Sequence, residues 1–145
     1  MQSKLVVIIL LCSVLVSINA AQVICASPDY FYPDNCDKEL NASSASDYYS
    51  SHPALEYKEL DHADITIREK TLYRDTFNIV DQELKGHKHL LWEYKKNKLE
   101  NVSPKRQVYF YYSVTINKKN KYHTRKAIVD IETGNEIVVG ESIDY

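Results

Sequence analysis

The chain has 145 residues, 44% of them hydrophobic and 26% charged, with a formal net charge of −2. That is enough apolar material for one modest core, and the near-neutral balance leaves no basic field for nucleic acid. Tyrosine is used heavily, at 12 residues, whereas glycine occurs only 3 times.

Residues 1–20 read as a cleavable signal peptide. Lys4 supplies the cation, Leu5 to Leu11 an unbroken apolar run extended by Cys12, Val14, Leu15 and Val16, and Ser17, Asn19, Ala20 and Ala21 a small, polar exit. Cleavage after Ala20 or after Ala21 fits almost equally. The run is shorter than the roughly 20 apolar residues a bilayer span needs, and no second run of that length follows, so a secreted, extracellular protein without a membrane span is expected. Export removes Cys12 and leaves Cys25 and Cys36 in an oxidising compartment, where a Cys25–Cys36 disulfide closing a Pro-bearing loop is expected; an intermolecular or metal-binding pair is the alternative.

Residues 21–63 are expected to be a disulfide-looped, partly flexible region. Between Cys36 and about His62 it turns to Ser, Asp and Tyr and holds no sustained period. Asn41-Ala42-Ser43 is a glycosylation sequon there, and Asn101-Val102-Ser103 is a second, weakened by Pro104. Tyr48, Tyr49 and Tyr57 stand near acids, which suits either sulfation or a tyrosine-rich binding strip, against the plainer reading of solvated linker residues.

Residues 64–145 read as one domain. Tyr73, Phe77, Val80 and Leu84 recur at helical spacing, Thr66 to Glu69 offers a capping box and Gly86 a stop, which predicts one long amphipathic helix over 67–85. The period then shifts to 2. Leu90, Trp92 and Tyr94 alternate with polar neighbours, as do Val108, Phe110, Tyr112, Val114 and Ile116, then Ala127, Val129 and Ile131, and finally Ile137 to Val139. Polar turns at Asn117–Asn120 and Glu132–Asn135 separate them. The fold class is α+β: one long helix packed on a four-stranded antiparallel sheet.

Catalysis is not expected. No Gly-rich phosphate loop, His-Glu-x-x-His or Gly-x-Ser-x-Gly occurs, and the acid pairs Asp61/Asp64 and Glu132/Glu136 flank turns or a helix start. His87 and His89 lack further ligands at a recognisable spacing, so no metal or other cofactor is expected. Lys95 to Lys98, Lys105-Arg106 and Lys118 to Lys121, interleaved with Trp92, Tyr94 and Tyr122, could form a patch for acidic glycans; lysines that blunt sheet edges are the ordinary reading. Binding is the expected work.

A helix followed by four antiparallel strands in a small secreted domain resembles the cystatin family of cysteine protease inhibitors. The stretch Gln107 to Ile116 is similar to that family's tyrosine-rich third strand. The resemblance implies a monomer that binds a protein partner, a papain-like cysteine protease, through two hairpins. Val102 and Ser103 of the first and Thr133 and Gly134 of the second would meet the enzyme. The family's wedges are altered in this chain: no Gly precedes Gly86, residues 100–106 match the Gln-x-Val-x-Gly loop only at Val102, and Glu132–Asn135 lacks Pro and Trp. The resemblance therefore also implies a second reading, a non-inhibitory secreted interaction protein that binds a receptor, a glycan or a surface.

Overall fold

The computed structural model describes residues 29–85, 87, 99–117 and 121–144. Residues 1–20, Cys25, Gly86, His89, Leu90 to Tyr94, Lys95 to Lys98 and Lys118 to Asn120 lie outside the described residues, and with them the expected signal peptide, helix stop and first expected strand.

The order is helix α1 (Ala45–Ser51), strand β1 (Ile65–Leu72), a 3-10 turn (Tyr73–Asp75), helix α2 (Thr76–Glu83), and strands β2 (Gln107–Ile116), β3 (Tyr122–Asp130) and β4 (Glu136–Ile143). The strands form one antiparallel sheet in the order β1-β2-β3-β4. An α+β fold with a four-stranded antiparallel sheet is thus present, but among the described residues two short helices stand in place of the single long one.

The expected helix start was misplaced for a local reason. Ile65, Ile67 and the β-branched Thr66 and Thr71 suit a pleated strand, and Ile67 is buried while Thr66, Glu69 and Lys70 are exposed. Thr66 and Glu69 therefore lie on a strand and cap nothing. The apolar stripe itself holds: Tyr73, Val80 and Leu84 are buried in one core cluster with Phe77 packed against it. Thr76, fully buried, donates from Oγ1 to the Tyr73 carbonyl at 2.9 Å, which satisfies its hydroxyl at the junction of turn and helix.

Both faces of the sheet are covered. Val108, Phe110, Tyr112 and Val114 of β2 face α2, Tyr73 and Val102. Tyr109 and Tyr111 face the other way, onto Ala45 of α1, Leu55 and Tyr57. Every residue from Val108 to Val114 is consequently buried. Residues 40–60, within the region 21–63 expected to be partly flexible, form the second layer. Ser44 caps α1 by accepting from Asp47 N at 3.1 Å. Tyr57 is fully buried and stacks on Tyr111 with ring centroids 5.6 Å apart, and Tyr49 meets both rings. The described part of 21–63 shares its core with the sheet, and Tyr32, Tyr48, Tyr49 and Tyr57 are packing residues.

Candidate interaction surfaces

The loops that carry the expected binding residues do come together, at one end of the sheet. Arg106, 4% exposed, reaches Asp130, 0% exposed, with two parallel bonds of 2.8 Å, and lies 2.8 Å from Glu132. Asp130 also accepts from Thr133 N at 3.1 Å and Thr133 Oγ1 at 2.6 Å, so the turn is tied to the strand end. Burial alone would raise the Asp130 carboxyl; the guanidinium and the Thr133 donors outweigh it and hold the group below its ordinary range. Glu132 is held low by Lys38 first, then by Asn35 and Arg106. Gly134 takes φ 74°, a left-handed conformation that favours glycine, and its N–H closes the turn onto the Asp130 carbonyl at 2.8 Å.

Residues 29–38 lie across this end as a strap. Tyr32 pairs with Val102, donating from its N–H to the Asn101 carbonyl at 3.1 Å and accepting from Ser103 N–H at 2.9 Å. Pro33 lends its carbonyl to Arg106 at 3.1 Å, and Asp34 accepts from the Ser103 hydroxyl. Asn35, 2% exposed, accepts from Gln107 N at 2.7 Å and donates to Glu132 at 3.3 Å, while Lys38 pairs with Glu132. Val102 and Ser103 are 2% and 0% exposed as a result. Thr133 is exposed and Gly134 half-buried, so of the four residues named for a protease edge, two are enclosed beneath the strap.

Asn41 and Asn101 are both exposed. Cys36 is half-buried, and its expected partner, Cys25, is not among the described residues. Burial, Asp37 and Asp34 push the Cys36 thiol up. Among the described residues no group of three His, Cys, Asp or Glu side chains is placed to hold a metal ion, and no helix is long and apolar enough to cross a membrane.

Sequence reasoning placed Arg106 with Lys105 in a cationic surface patch, whereas it is buried on Asp130, and it did not single out Asp130, Asn35 or Ser113. Asp130 carried a signal, since it stands between Val129 and Ile131 in an apolar strand where an acid needs a partner. Asn35 and Ser113 carried none: Ser113 receives the Tyr57 hydroxyl at 3.2 Å and Leu60 N at 3.2 Å, a junction visible only once 55–60 lies on the sheet.

The two sheet edges differ. β1 carries Arg68, Glu69 and Lys70 in its middle, and Arg68 holds Glu59 with bonds of 2.6 and 2.7 Å. Charges of this kind blunt an edge. β4 reads Glu-Ile-Val-Val-Gly-Glu-Ser-Ile, with no residue fully buried and no lysine or proline. Asp144 N–H bonds to the Tyr122 carbonyl at 2.9 Å, and from that pair the antiparallel alternation turns the backbone of Val138, Gly140 and Ser142 toward β3. The N–H and C=O groups of Val139, Glu141 and Ile143 therefore point to the outer side, where no described strand pairs with them.

A groove of about 340 Å³ adjoins that edge, lined by Glu56, Tyr57, Lys58, Arg125, Val139, Gly140 and Glu141. Its far wall is fixed because Glu136 accepts from Glu56 N at 2.8 Å and Tyr57 N at 3.0 Å. Arg125 lies 3.2 Å from Glu141, which also pairs with His123; the hydrogen bonds to His123 and then to Arg125 hold the Glu141 carboxyl low. Ile143, 44% exposed, ends the strand. Comparison with protein-family models, with curated proteins and with solved structures finds no match for this chain.

Proposed function

We propose that this chain is a secreted protein-binding module that takes up an extended segment of a partner protein as a fifth strand along β4. The observation that carries the reading is the asymmetry of the sheet: β1 is guarded by charge, whereas β4 offers three outward residues' worth of backbone donors and acceptors. Strand addition draws affinity from such main-chain bonds and specificity from neighbouring side-chain pockets. The groove between 56–58 and 139–141 is placed to supply the second. The apolar run of residues 5–16 supports export.

A cystatin-like relation for residues 64–145 rests on the Tyr73–Leu84 stripe packed across an antiparallel sheet. Inhibition of cystatin type is the weaker version of the binding function, because it would need the 32–34 segment to leave Val102 and Ser103.

The test is selection from a random peptide library on the immobilised mature protein, followed by affinity measurement on two variants. Glu141→Pro removes an outward N–H without touching the ladder to β3, and Glu141→Gln removes only the charge. Selected peptides should lose about tenfold or more in affinity with Glu141→Pro, as expected for one lost main-chain bond and its disturbed neighbours, and far less with Glu141→Gln. Peptides that bind both variants equally, or no enrichment at all, would refute strand addition at β4. Circular dichroism on each variant checks that the sheet is intact.

A further inference from the structure

Phe31 is the most exposed large apolar side chain among the described residues, at 76%. Its one described ring contact is edge-on to Tyr32, with centroids 5.0 Å apart. An aromatic ring held in water on an ordered strap calls for an explanation, because the strap around it is tied down at Tyr32, Pro33, Asp34, Asn35 and Lys38.

The pairing of the strap settles which neighbour Phe31 has. Tyr32 and Val102 are partners in a parallel bridge, and both pack into the core beneath the sheet. Paired residues on neighbouring strands project to the same side, and successive residues alternate. Phe31 and Asn101 each stand one position before the bridge, both are exposed, and the Tyr32 N–H bonded to the Asn101 carbonyl at 3.1 Å brings their backbones together on the outer side of the strap. Asn101 is exposed and begins the sequon Asn101-Val102-Ser103.

We propose that Asn101 carries an N-linked glycan and that Phe31 is its platform, the ring lying against the C–H face of the first N-acetylglucosamine. The inference rests on export of the chain through a eukaryotic secretory pathway. The modification is a transfer from a lipid-linked oligosaccharide diphosphate. The Asn101 amide nitrogen bonds to C1 of the sugar, the C1–O bond to the phosphate breaks, the lipid diphosphate leaves and the amide gives up one proton. Transfer precedes folding, so the buried Ser103 hydroxyl is free to be read at that moment and closes onto Asp34 afterwards. The sugar then covers the apolar ring that the fold leaves in water. It also anchors the strap from outside, opposite the Tyr32–Val102 contact that anchors it from within.

The experiment uses the full chain expressed in cultured animal cells, with the secreted product mapped by peptide mass. Asn101 should be modified, incompletely because Pro104 follows the sequon. The glycosylated fraction should melt about 2–5 °C above the enzymatically deglycosylated protein, the gain expected for one aromatic-face contact in a domain of this size. Phe31→Leu keeps an apolar side chain but removes the ring, and it should abolish that gain together with the upfield ring-current shift of the first sugar's protons. A gain that survives Phe31→Leu overturns the platform. A modified Asn41 with a bare Asn101 overturns the site while leaving export intact, and retention of the chain inside the cell overturns export and this inference together.

Discussion

Replacing Arg106 with Met tests how the closed end of the sheet is held. Asp130 would then be left fully buried with Thr133 N, Thr133 Oγ1 and the Glu132 backbone as its remaining donors, and it would have lost two charge-assisted bonds of 2.8 Å. Breaking a buried pair in this way costs about 3–5 kcal/mol, because the surviving charge is uncompensated. The reverse change, Asp130→Asn, leaves Arg106 with Glu132 at 2.8 Å and the Pro33 carbonyl at 3.1 Å, so its cost should fall lower, at about 2–3 kcal/mol. The double variant should be less damaging than the two added together, with a coupling above about 1.5 kcal/mol. Urea denaturation followed by far-UV circular dichroism reads all three. An Arg106→Met protein within about 0.5 kcal/mol of wild type, or strict additivity, would refute the account of this pair as a shared anchor for the strap and the turn.

The same cluster predicts an acid response. Asp130 and Glu132 are held below their unfolded values, so their contribution is complete above the ordinary carboxylate range of about 4 and drains as pH falls through the lower folded values. The urea midpoint should be flat from pH 7 to about 5 and drop below about 4, and Arg106→Met should flatten the drop. At the alkaline end the sign reverses, because burial pushes the Tyr57 and Tyr111 hydroxyls well above their ordinary value. Their neutral forms stabilise the fold fully below the unfolded value near 10, and that stability is lost as pH rises, so absorbance titration should show these two phenols ionising only as the protein unfolds. Gly134→Ala should cost about 1–2 kcal/mol in denaturant melts, since φ is 74° and the added Cβ would stand 3.1 Å from the Tyr48 hydroxyl. A papain-like protease assayed with a fluorogenic substrate should show no inhibition by micromolar protein, because Val102 and Ser103 are enclosed; inhibition at that level would show that the strap opens.

The strands after residue 107 were legible because alternation of Val, Ile and Tyr is a local property, and turns at Asn117 and Glu132–Asn135 separate them. The short helix was legible as a stripe and illegible as a length: Thr66 and Glu69 imitate a cap, while Ile65 and Ile67 carry a strand period only two residues long. Tyr109, Tyr111 and Ser113, the alternating neighbours of the apolar residues of β2, gave no sign of a second buried face, since tyrosine and serine serve either side. The missed cue was the absence of any charge from Val108 to Ile116, which marks a strand covered on both faces. The strap could not be read at all, because its bonds join residues about seventy positions apart, each setting a side chain of Arg106, Asn35 or Gln107 against a backbone group that no local pattern marks.

The double covering of β2 also sets an order of events during synthesis. Tyr111 donates to the Ala45 carbonyl at 2.9 Å across 66 positions, and Tyr57 reaches Ser113 across 56. The helix Ala45–Ser51 and Tyr57 thus leave the ribosome well before the strand they pack on exists. Until β2 emerges, Tyr48, Tyr49 and Tyr57 have no surface to bury against, and each must be kept from unproductive partners. Long-range closure of this kind slows folding. The nascent chain should therefore depend on chaperone protection in the interval between residue 57 and residue 113, and should acquire protease resistance in one step as the central strand arrives.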